Sequence, residues 1–225
     1  MGHALVIHSW SPHDSEQPWG ADEGGVPAIV GSLLEVSPTV QVEADFALPD
    51  APRAVVDEAM RAFGRVDVLV ANHARSSAQA LETLTAEELD HSFAVNTRAT
   101  LLLVQEFARR FHDGGAGRIV LMTSGQHLGP MPDELPYIAS KGALHQVTAS
   151  LAAHLAPRGI TVNTVNPGAT DTGWATEEQV REVLALSPQG RWGTPDDAAR
   201  LIGWLASDEA AWVTGQVIDS TGGGP

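Results

Sequence analysis

The chain has 225 residues, a formal net charge of −15 at pH 7 and no cysteine. This length suits one domain with a large core, which we place at residues 1–225. The negative charge argues against a nucleic acid or an anionic membrane as a partner, and the absence of cysteine excludes disulfides and thiolate catalysis. No signal-peptide pattern and no apolar run of about 18 residues is present, so we expect a cytoplasmic protein.

The first third of the chain alternates between strand and helix patterns. A short apolar run within residues 1–8 predicts a buried strand, and the Pro, Gly, Asp and Trp content of residues 9–25 predicts a long loop. His8 and His13 lie near Asp14, but no second ligand pair supports a metal site, and we predict none. The further elements expected here are a helix over residues 26–36, a strand over residues 39–44 that ends at Asp45, and a helix over residues 54–63.

The rest of the chain continues this alternation. The strands expected there cover residues 66–70, 118–123, 159–165 and 213–219. The helices expected there cover residues 84–110, residues 136–156, and a segment from the capped start at Thr194 to about residue 207. With no internal repeat and no linker, the pattern predicts an α/β fold with one doubly wound, Rossmann-like parallel sheet flanked by helices.

Tyr137 and Lys141 are the only tyrosine and the only lysine of the chain. On a helix, their spacing of four puts both side chains on one face, about 5–6 Å apart at Cβ. An ordinary phenol titrates near pH ~10, and a neighbouring ammonium lowers its pKa. A chance surface pair is the alternative, but arginine could replace lysine wherever only charge is needed. With Ser124 at the end of an apolar strand to polarise a substrate oxygen, the residues predict a proton-transfer site for a carbonyl or an alcohol.

The order of these residues resembles that of a known family. Ser124, the Tyr137-x-x-x-Lys141 spacing, Asn166-Pro167-Gly168 and Val213-Thr214-Gly215-Gln216 resemble the short-chain dehydrogenase/reductase family over essentially all 225 residues. The overall pattern is similar to 3-oxoacyl-acyl-carrier-protein reductases and related ketoreductases. The resemblance implies an oxidoreductase that passes hydride between NAD(P)(H) and a small-molecule carbonyl or alcohol. It also implies a homo-oligomer, either a dimer or a tetramer.

The resemblance also assigns catalytic roles. It implies that Tyr137 is the general acid/base, that Lys141 lowers the pKa of Tyr137 and holds the cofactor ribose, and that Ser124 orients the carbonyl. Asn96 resembles the asparagine that kinks a helix of the family and holds a water in a proton relay to the lysine. A solvent-facing asparagine in mid-helix is the alternative for Asn96.

The cofactor residues follow from the same resemblance. Asp45 matches an aspartate that binds the adenine amine, although a role in a turn or cap explains it equally well. Asn72, in a run that departs from the family's N-N-A-G, is expected beside the ribose. The remaining cofactor contacts expected are the backbone of Pro167 and Gly168 at the nicotinamide amide, and Thr170 or Thr172 at the carboxamide or phosphates.

Two further expectations concern specificity. No acid follows the first strand, where His8-Ser9-Trp10 stands, which favours NADP(H) over NAD(H), although basic residues for its extra phosphate are not evident. Residues 171–193 resemble a mobile lid over the substrate, and their apolar members, Trp174 and Trp192 among them, suggest a substrate of low polarity or simply a lid packed shut.

One departure from the family concerns the start of the chain. The family's first strand and its T-G-x-x-x-G-x-G loop, which binds the pyrophosphate, have no counterpart, and the first strand here resembles the family's second. We therefore expect an amino-terminally truncated sheet with a gap between the strands that resemble the second and fourth. The rival hypothesis is a catalytically inactive relative that acts as a binding or oligomer-forming protein, and the intact serine, tyrosine, lysine and asparagine set argues against it.

Overall fold

The computed structural model describes residues 2–16, 20, 24–112 and 114–224. Strands alternate with helices throughout these residues, as predicted. The strands are β1 (Leu5–Ser9), β2 (Thr39–Glu43), β3 (Val68–Ala71), β4 (Gly117–Met122), β5 (Ile160–Asn166) and β6 (Val217–Asp219). The helices are α1 (Ser11–Glu16), α2 (Gly25–Leu34), α3 (Ala51–Phe63), α4 (Ala86–Ser92), α5 (Ala99–Arg110), α6 (Leu135–Leu155), α7 (Glu177–Leu186) and α8 (Pro195–Leu205). Short 3₁₀ turns occupy Leu81–Thr83, Ala156–Arg158 and Asp208–Ala210.

The strands pair in parallel throughout, but they form two sheets. β1 pairs with β2, and the other strands follow the order β3-β4-β5-β6. Among the described residues no hydrogen-bonded ladder joins β1 to β3, so the sheet is interrupted between the strands that resemble the family's second and fourth, as expected. A groove of about 1120 Å³, lined by residues of β1, α3 and β3, lies where the gap was expected.

The core is centred on β4 and β5. Every residue of these two strands is buried, as expected for central strands of a parallel sheet covered on both faces. Phe107 of α5 and Leu155 of α6 pack with Ile119, Leu121 and Ile160 in the main hydrophobic cluster. β1 and β3 were predicted to be buried, yet their residues are mostly half-exposed, because each strand has a neighbour on one edge only.

Three local predictions need correction or refinement. Residues 9–25 contain the short helix α1, so only part of the predicted loop is irregular, and part of it lies outside the described residues. The long helix predicted over residues 84–110 is interrupted by a π-helical segment, Phe93–Arg98. β6 is shorter than the predicted strand over residues 213–219, because only Val217–Asp219 are in register with β5. None of the described helices is long and apolar enough to cross a membrane.

Candidate active site

Two neighbouring strands bring the candidate residues to one edge of the sheet. β4 and β5 are parallel, with Met122 opposite Val165, so the segments that begin at Ser124 and at Pro167 leave the sheet side by side. The Thr123 amide donates to the Val165 carbonyl oxygen at 2.9 Å and extends this pairing by one residue. The carboxyl edge of an open α/β sheet is where such folds bind ligands.

Tyr137 lies in the first turn of α6 and faces Ser124. Burial raises the pKa of Tyr137 above its ordinary value, a hydrogen bond with the Ser124 hydroxyl acts in the opposite direction, and the nearby charge of Glu134 adds to the rise. Glu134 lies just before the helix and its own pKa is raised, mainly by burial. The structure therefore unites serine and tyrosine as predicted, with the phenol in its protonated form at neutral pH.

Lys141 lies one helical turn after Tyr137 and is only 2% exposed. Its ammonium donates to the Met122 carbonyl oxygen at 3.1 Å, and burial lowers its pKa to about 8. The expectation that Lys141 lowers the pKa of Tyr137 is not met in this structure. The reason is that burial controls the phenol, while the ammonium is directed at the backbone of β4.

Asn96 is fully buried in the π-helical segment. Its side-chain oxygen accepts the Arg75 amide at 2.7 Å, and its side-chain nitrogen donates to the Arg75 carbonyl oxygen at 3.0 Å and to the Ser140 hydroxyl at 2.9 Å. The predicted helix irregularity at Asn96 is confirmed, and the solvent-facing alternative is wrong. Asn96 fastens this segment to α6 beside Lys141; its part in a water relay stays a prediction.

His73 also lies in this region, although the sequence pattern did not indicate it. Its Nε2 lies 3.0 Å from the Val95 carbonyl oxygen and 3.3 Å from the Thr100 hydroxyl. Burial, followed by the charge of Lys141, lowers the pKa of His73 to about 3, so the ring is neutral and Nε2 carries the proton donated to Val95. The only hint in the sequence was a bulky residue within the altered run over residues 71–74.

The proposed nicotinamide segment has a well-defined geometry. Gly168 has φ +67°, and its amide donates to the Asn166 side-chain oxygen at 3.1 Å. A Cβ at this position would lie 3.0 Å from the Thr221 Cα, so only glycine fits without a shift. Thr170 donates to the Gly168 carbonyl oxygen at 3.3 Å, whereas Thr172 is exposed. The space that a side chain would need is therefore occupied by Thr221, which follows β6, and Gly168 lets the loop after β5 pack closely against that residue.

The residues expected at the adenosine end follow other strands than the nicotinamide segment does: Asp45 follows β2, and Asn72 follows β3. Asp45 accepts the Ala47 amide at 2.8 Å, so its alternative role in a turn is confirmed, and its contact with adenine stays a prediction. Asn72 is exposed and lines the large groove, with no side-chain hydrogen bond among the described residues. The pattern T-G-x-x-x-G-x-G, expected at the pyrophosphate, does not occur in the 225 residues.

Two tryptophans organise residues 171–193, the expected lid. Trp174 donates from Nε1 to the Thr170 carbonyl oxygen at 3.1 Å, and Trp192 donates to the Val180 carbonyl oxygen at 3.2 Å. Their ring centroids lie 5.8 Å apart. Trp192 is buried, while Trp174 remains 39% exposed. The segment is therefore held on the loop that follows β5, and the Trp174 indole remains partly exposed.

Comparison with known proteins identifies the family. The family model described as Enoyl-(Acyl carrier protein) reductase, adh_short_C2, matches residues 26–224. The chain belongs to the short-chain dehydrogenase/reductase family. The Uncharacterized oxidoreductase YjdA of Bacillus subtilis (strain 168) is 44% identical to this dehydrogenase/reductase in an alignment of 223 positions, which covers 96% of this chain and 86% of that protein.

Two further relatives of this short-chain dehydrogenase/reductase have more specific names. The Hydroxynaphthalene reductase-like protein Arp2 of Metarhizium brunneum (strain ARSEF 3297) is 34% identical in an alignment of 205 positions, which covers 83% of this chain and 76% of that protein. The crystal structure of the angucycline C-6 ketoreductase LanV with bound NADP has 30% identity and a TM-score of 0.85, and covers 98% of this chain and 85% of its own. This likeness confirms the Rossmann-like fold.

Family membership establishes the reaction class. The protein is an NAD(P)-dependent oxidoreductase that interconverts a carbonyl group and an alcohol. The rival hypothesis of an inactive binding or oligomer-forming protein is not supported by these comparisons. The assignment of individual residues to steps of this reaction rests on the geometry described above and is proposed next.

Proposed function

We propose that this enzyme is a ketoreductase in which Tyr137 protonates the carbonyl oxygen of the substrate. The observation that carries this direction is the raised pKa of Tyr137, whose phenol is buried against the Ser124 hydroxyl. A phenol that keeps its proton at neutral pH suits a general acid better than a general base. The bound dinucleotide supplies the hydride for the carbonyl carbon, and the Tyr137 proton on oxygen completes the alcohol.

The neighbouring residues divide the remaining tasks. The Ser124 hydroxyl donates a hydrogen bond to the carbonyl oxygen of the substrate and so orients the carbonyl for Tyr137. Lys141 has three ammonium protons, of which one is held by Met122, and the others are available for ribose hydroxyls. Asn96 acts through Ser140, because its hydrogen bond holds α6 at the turn that carries both Tyr137 and Lys141.

The cofactor is proposed to be NADP(H), bound along the carboxyl edge of the strands. Pro167, Gly168, Thr170 and Thr172 would hold the nicotinamide end, and Asp45 and Asn72 the adenosine end. The absence of an acid in His8-Ser9-Trp10 supports NADP(H) over NAD(H). The structural relative LanV, described with bound NADP, supports the same choice.

The substrate is proposed to be a ketone fused to or carried on an aromatic ring system. Trp174 supports this class because its half-exposed indole is held on Thr170, beside the proposed nicotinamide segment. Stacking on such a ring contributes about 0.5–1.5 kcal/mol beyond area burial. The name of the relative Arp2, a hydroxynaphthalene reductase-like protein, points to the same chemistry.

A homo-oligomer, either a dimer or a tetramer, is part of the proposal. Trp212 supports it, since this large apolar side chain is 98% exposed and Trp204 is 39% exposed in the single chain. Exposed aromatic side chains of this size often mark surfaces that a partner covers. Light scattering coupled to size exclusion, on the wild type and on Trp212→Ala, tests whether that side chain lies in the interface.

The function is tested by the oxidation of NADPH in the presence of ketones. The protein is assayed with 1-tetralone, a bicyclic aromatic ketone, and with cyclohexanone, at NADPH concentrations raised until the rate no longer changes. We expect turnover of both ketones and a higher kcat/KM for 1-tetralone than for cyclohexanone. In Trp174→Ala the ratio of these two kcat/KM values falls by up to about tenfold. Leu34→Ala, which removes an exposed apolar side chain of α2, is the control. If the folded protein fails to oxidise NADPH in the presence of either ketone, the proposal is contradicted.

A further inference from the structure

The carboxylate of Asp219, at the end of β6, joins two loops that border the active site. Asp219 is paired with Asn166 in the register of β5 and β6. One carboxylate oxygen accepts the side-chain nitrogen of Asn166 at 2.9 Å. His127 Nε2 lies 3.0 Å and 3.1 Å from the two carboxylate oxygens. Residues distant in the sequence thus meet at one acid.

The contact with Asn166 controls the proposed nicotinamide segment. Asn166 is 1% exposed, and its side-chain oxygen accepts the Gly168 amide at 3.1 Å. An asparagine amide is asymmetric, with a donor on one side and an acceptor on the other. Because Asp219 accepts only, it fixes the Asn166 nitrogen on its own side and turns the Asn166 oxygen towards Gly168.

The contact with His127 controls the other loop. His127 lies in the turn that follows Ser124, where the Gln126 side-chain oxygen accepts the Ser124 amide at 3.2 Å. The His127 ring also packs against His145 of α6, with ring centroids 4.7 Å apart. Partial burial acts to raise the pKa of Asp219, but hydrogen bonds from Asn166 and His127 bring it below its ordinary value, so the acid is ionised at neutral pH.

We propose that Asp219 is a positioning residue that clasps the Ser124 loop to the Pro167–Gly168 loop. It keeps the hydroxyl that orients the carbonyl at a constant distance from the backbone that borders the nicotinamide. This inference rests on the roles proposed above for Ser124 and Gly168. Asp219 touches neither substrate nor cofactor in this scheme. The Asp219 side chain is 34% exposed, so solvent weakens the electrostatic part of its contacts, and the main effect of Asp219 is on geometry.

Amide hydrogen exchange tests the clasp without any assay of activity. In Asp219→Ala, the Asn166 amide loses its fixed orientation, and the Gly168 amide exchanges about tenfold faster. Asp219→Asn retains an acceptor oxygen and shows a smaller increase. Asp196→Ala is the matched control, because Asp196 is an exposed acid on α8 whose side chain is 80% exposed. Unchanged exchange at Gly168 in Asp219→Ala overturns the proposal.

Steady-state kinetics test the consequence for the reaction. Because small misplacements of reacting groups cost up to about a hundredfold in rate, kcat of Asp219→Ala falls about ten- to a hundredfold, with a smaller change in KM for the ketone. Asp219→Asn recovers part of kcat. In the double variant of Asp219→Ala and His127→Ala, the loss of kcat is smaller than the product of the two single losses, because both side chains belong to the same contact. A kcat of Asp219→Ala equal to that of the wild type overturns the proposal. If the wild type is inactive but the Gly168 amide still exchanges faster in Asp219→Ala, only the proposed function is contradicted.

Discussion

The Lys141 ammonium donates a hydrogen bond to the Met122 carbonyl oxygen, at 3.1 Å, inside the protein. Met122 is the last residue of β4, and Ser124 follows two positions later. The Thr123 hydroxyl donates to the Lys141 carbonyl oxygen at 3.0 Å, so the helix and the strand end are joined in both directions. Lys141 therefore holds α6 against the strand that carries Ser124, in addition to its proposed contact with the ribose.

The first prediction concerns Lys141→Arg, which keeps the charge. We expect a loss of activity of about a hundredfold or more, because a planar guanidinium does not fit a site that is 2% exposed and aimed at one carbonyl oxygen. The measurement is kcat/KM for ketone reduction, with circular dichroism to verify the fold. Arg200→Lys, on the exposed face of α8, is the control. Near-normal activity with arginine would show that the single lysine is incidental.

The second prediction uses the lowered pKa of Lys141, about 8 instead of 10.5. Between these two values the unfolded chain binds more protons at Lys141 than the folded chain does, so this residue makes stability rise with pH across that window. We expect the wild type to gain up to about 3 kcal/mol relative to Lys141→Met between pH 8 and 10.5.

Urea unfolding of both proteins at several pH values measures this difference. The comparison of wild type with Arg200→Met serves as a control, since that exposed arginine stays charged throughout. A difference between wild type and Lys141→Met that does not change with pH would contradict the burial of a charged lysine.

The third prediction concerns Tyr137→Phe, which removes one hydroxyl and little volume. Loss of the general acid lowers kcat by about 10²–10⁴-fold, while the fold is retained. Ser124→Ala is a useful companion, because it removes the hydrogen bond that acts against the raised pKa of Tyr137. Its pH–rate profile for reduction should therefore extend to higher pH than that of the wild type. Wild-type turnover in Tyr137→Phe would end the catalytic assignment.

The fourth prediction concerns dinucleotide binding by the 225-residue chain. The phosphate-binding pattern T-G-x-x-x-G-x-G does not occur in these residues, so no helix amino terminus of that kind faces the pyrophosphate. The net charge of −15 also repels a dinucleotide. We expect dissociation constants for NADPH and NADH well above micromolar, and binding about 100-fold tighter after addition of an amino-terminal strand, glycine-rich turn and helix of the T-G-x-x-x-G-x-G type.

Calorimetric titration at matched salt distinguishes the outcomes. Micromolar binding by the 225-residue chain would show that another part of the molecule, or a second subunit, supplies the phosphate site. If neither protein binds either dinucleotide, the proposed cofactor contacts at Pro167, Gly168 and Thr170 are wrong. If only the longer protein binds, the added segment supplies the phosphate contacts that the 225 residues lack.

The sequence by itself determined the parallel α/β architecture and the serine, tyrosine and lysine of the site. Both conclusions depend on short-range patterns. The apolar runs of β4 and β5 are local, and the spacing of Tyr137 and Lys141 is a property of one helix, α6. The asparagine in mid-helix was likewise visible, because the π-helical segment lies within a single continuous helical pattern.

The partners of these residues were decided only by the tertiary structure. Lys141 binds Met122, 19 residues away, and Asp219 binds Asn166 and His127, 53 and 92 residues away. Such contacts follow from the register of β4, β5 and β6, which side-chain periodicity does not specify between strands distant in the chain. The pKa of Tyr137 is decided in the same way, because it depends on how deeply packing buries the phenol, and burial outweighs the opposing hydrogen bond with Ser124.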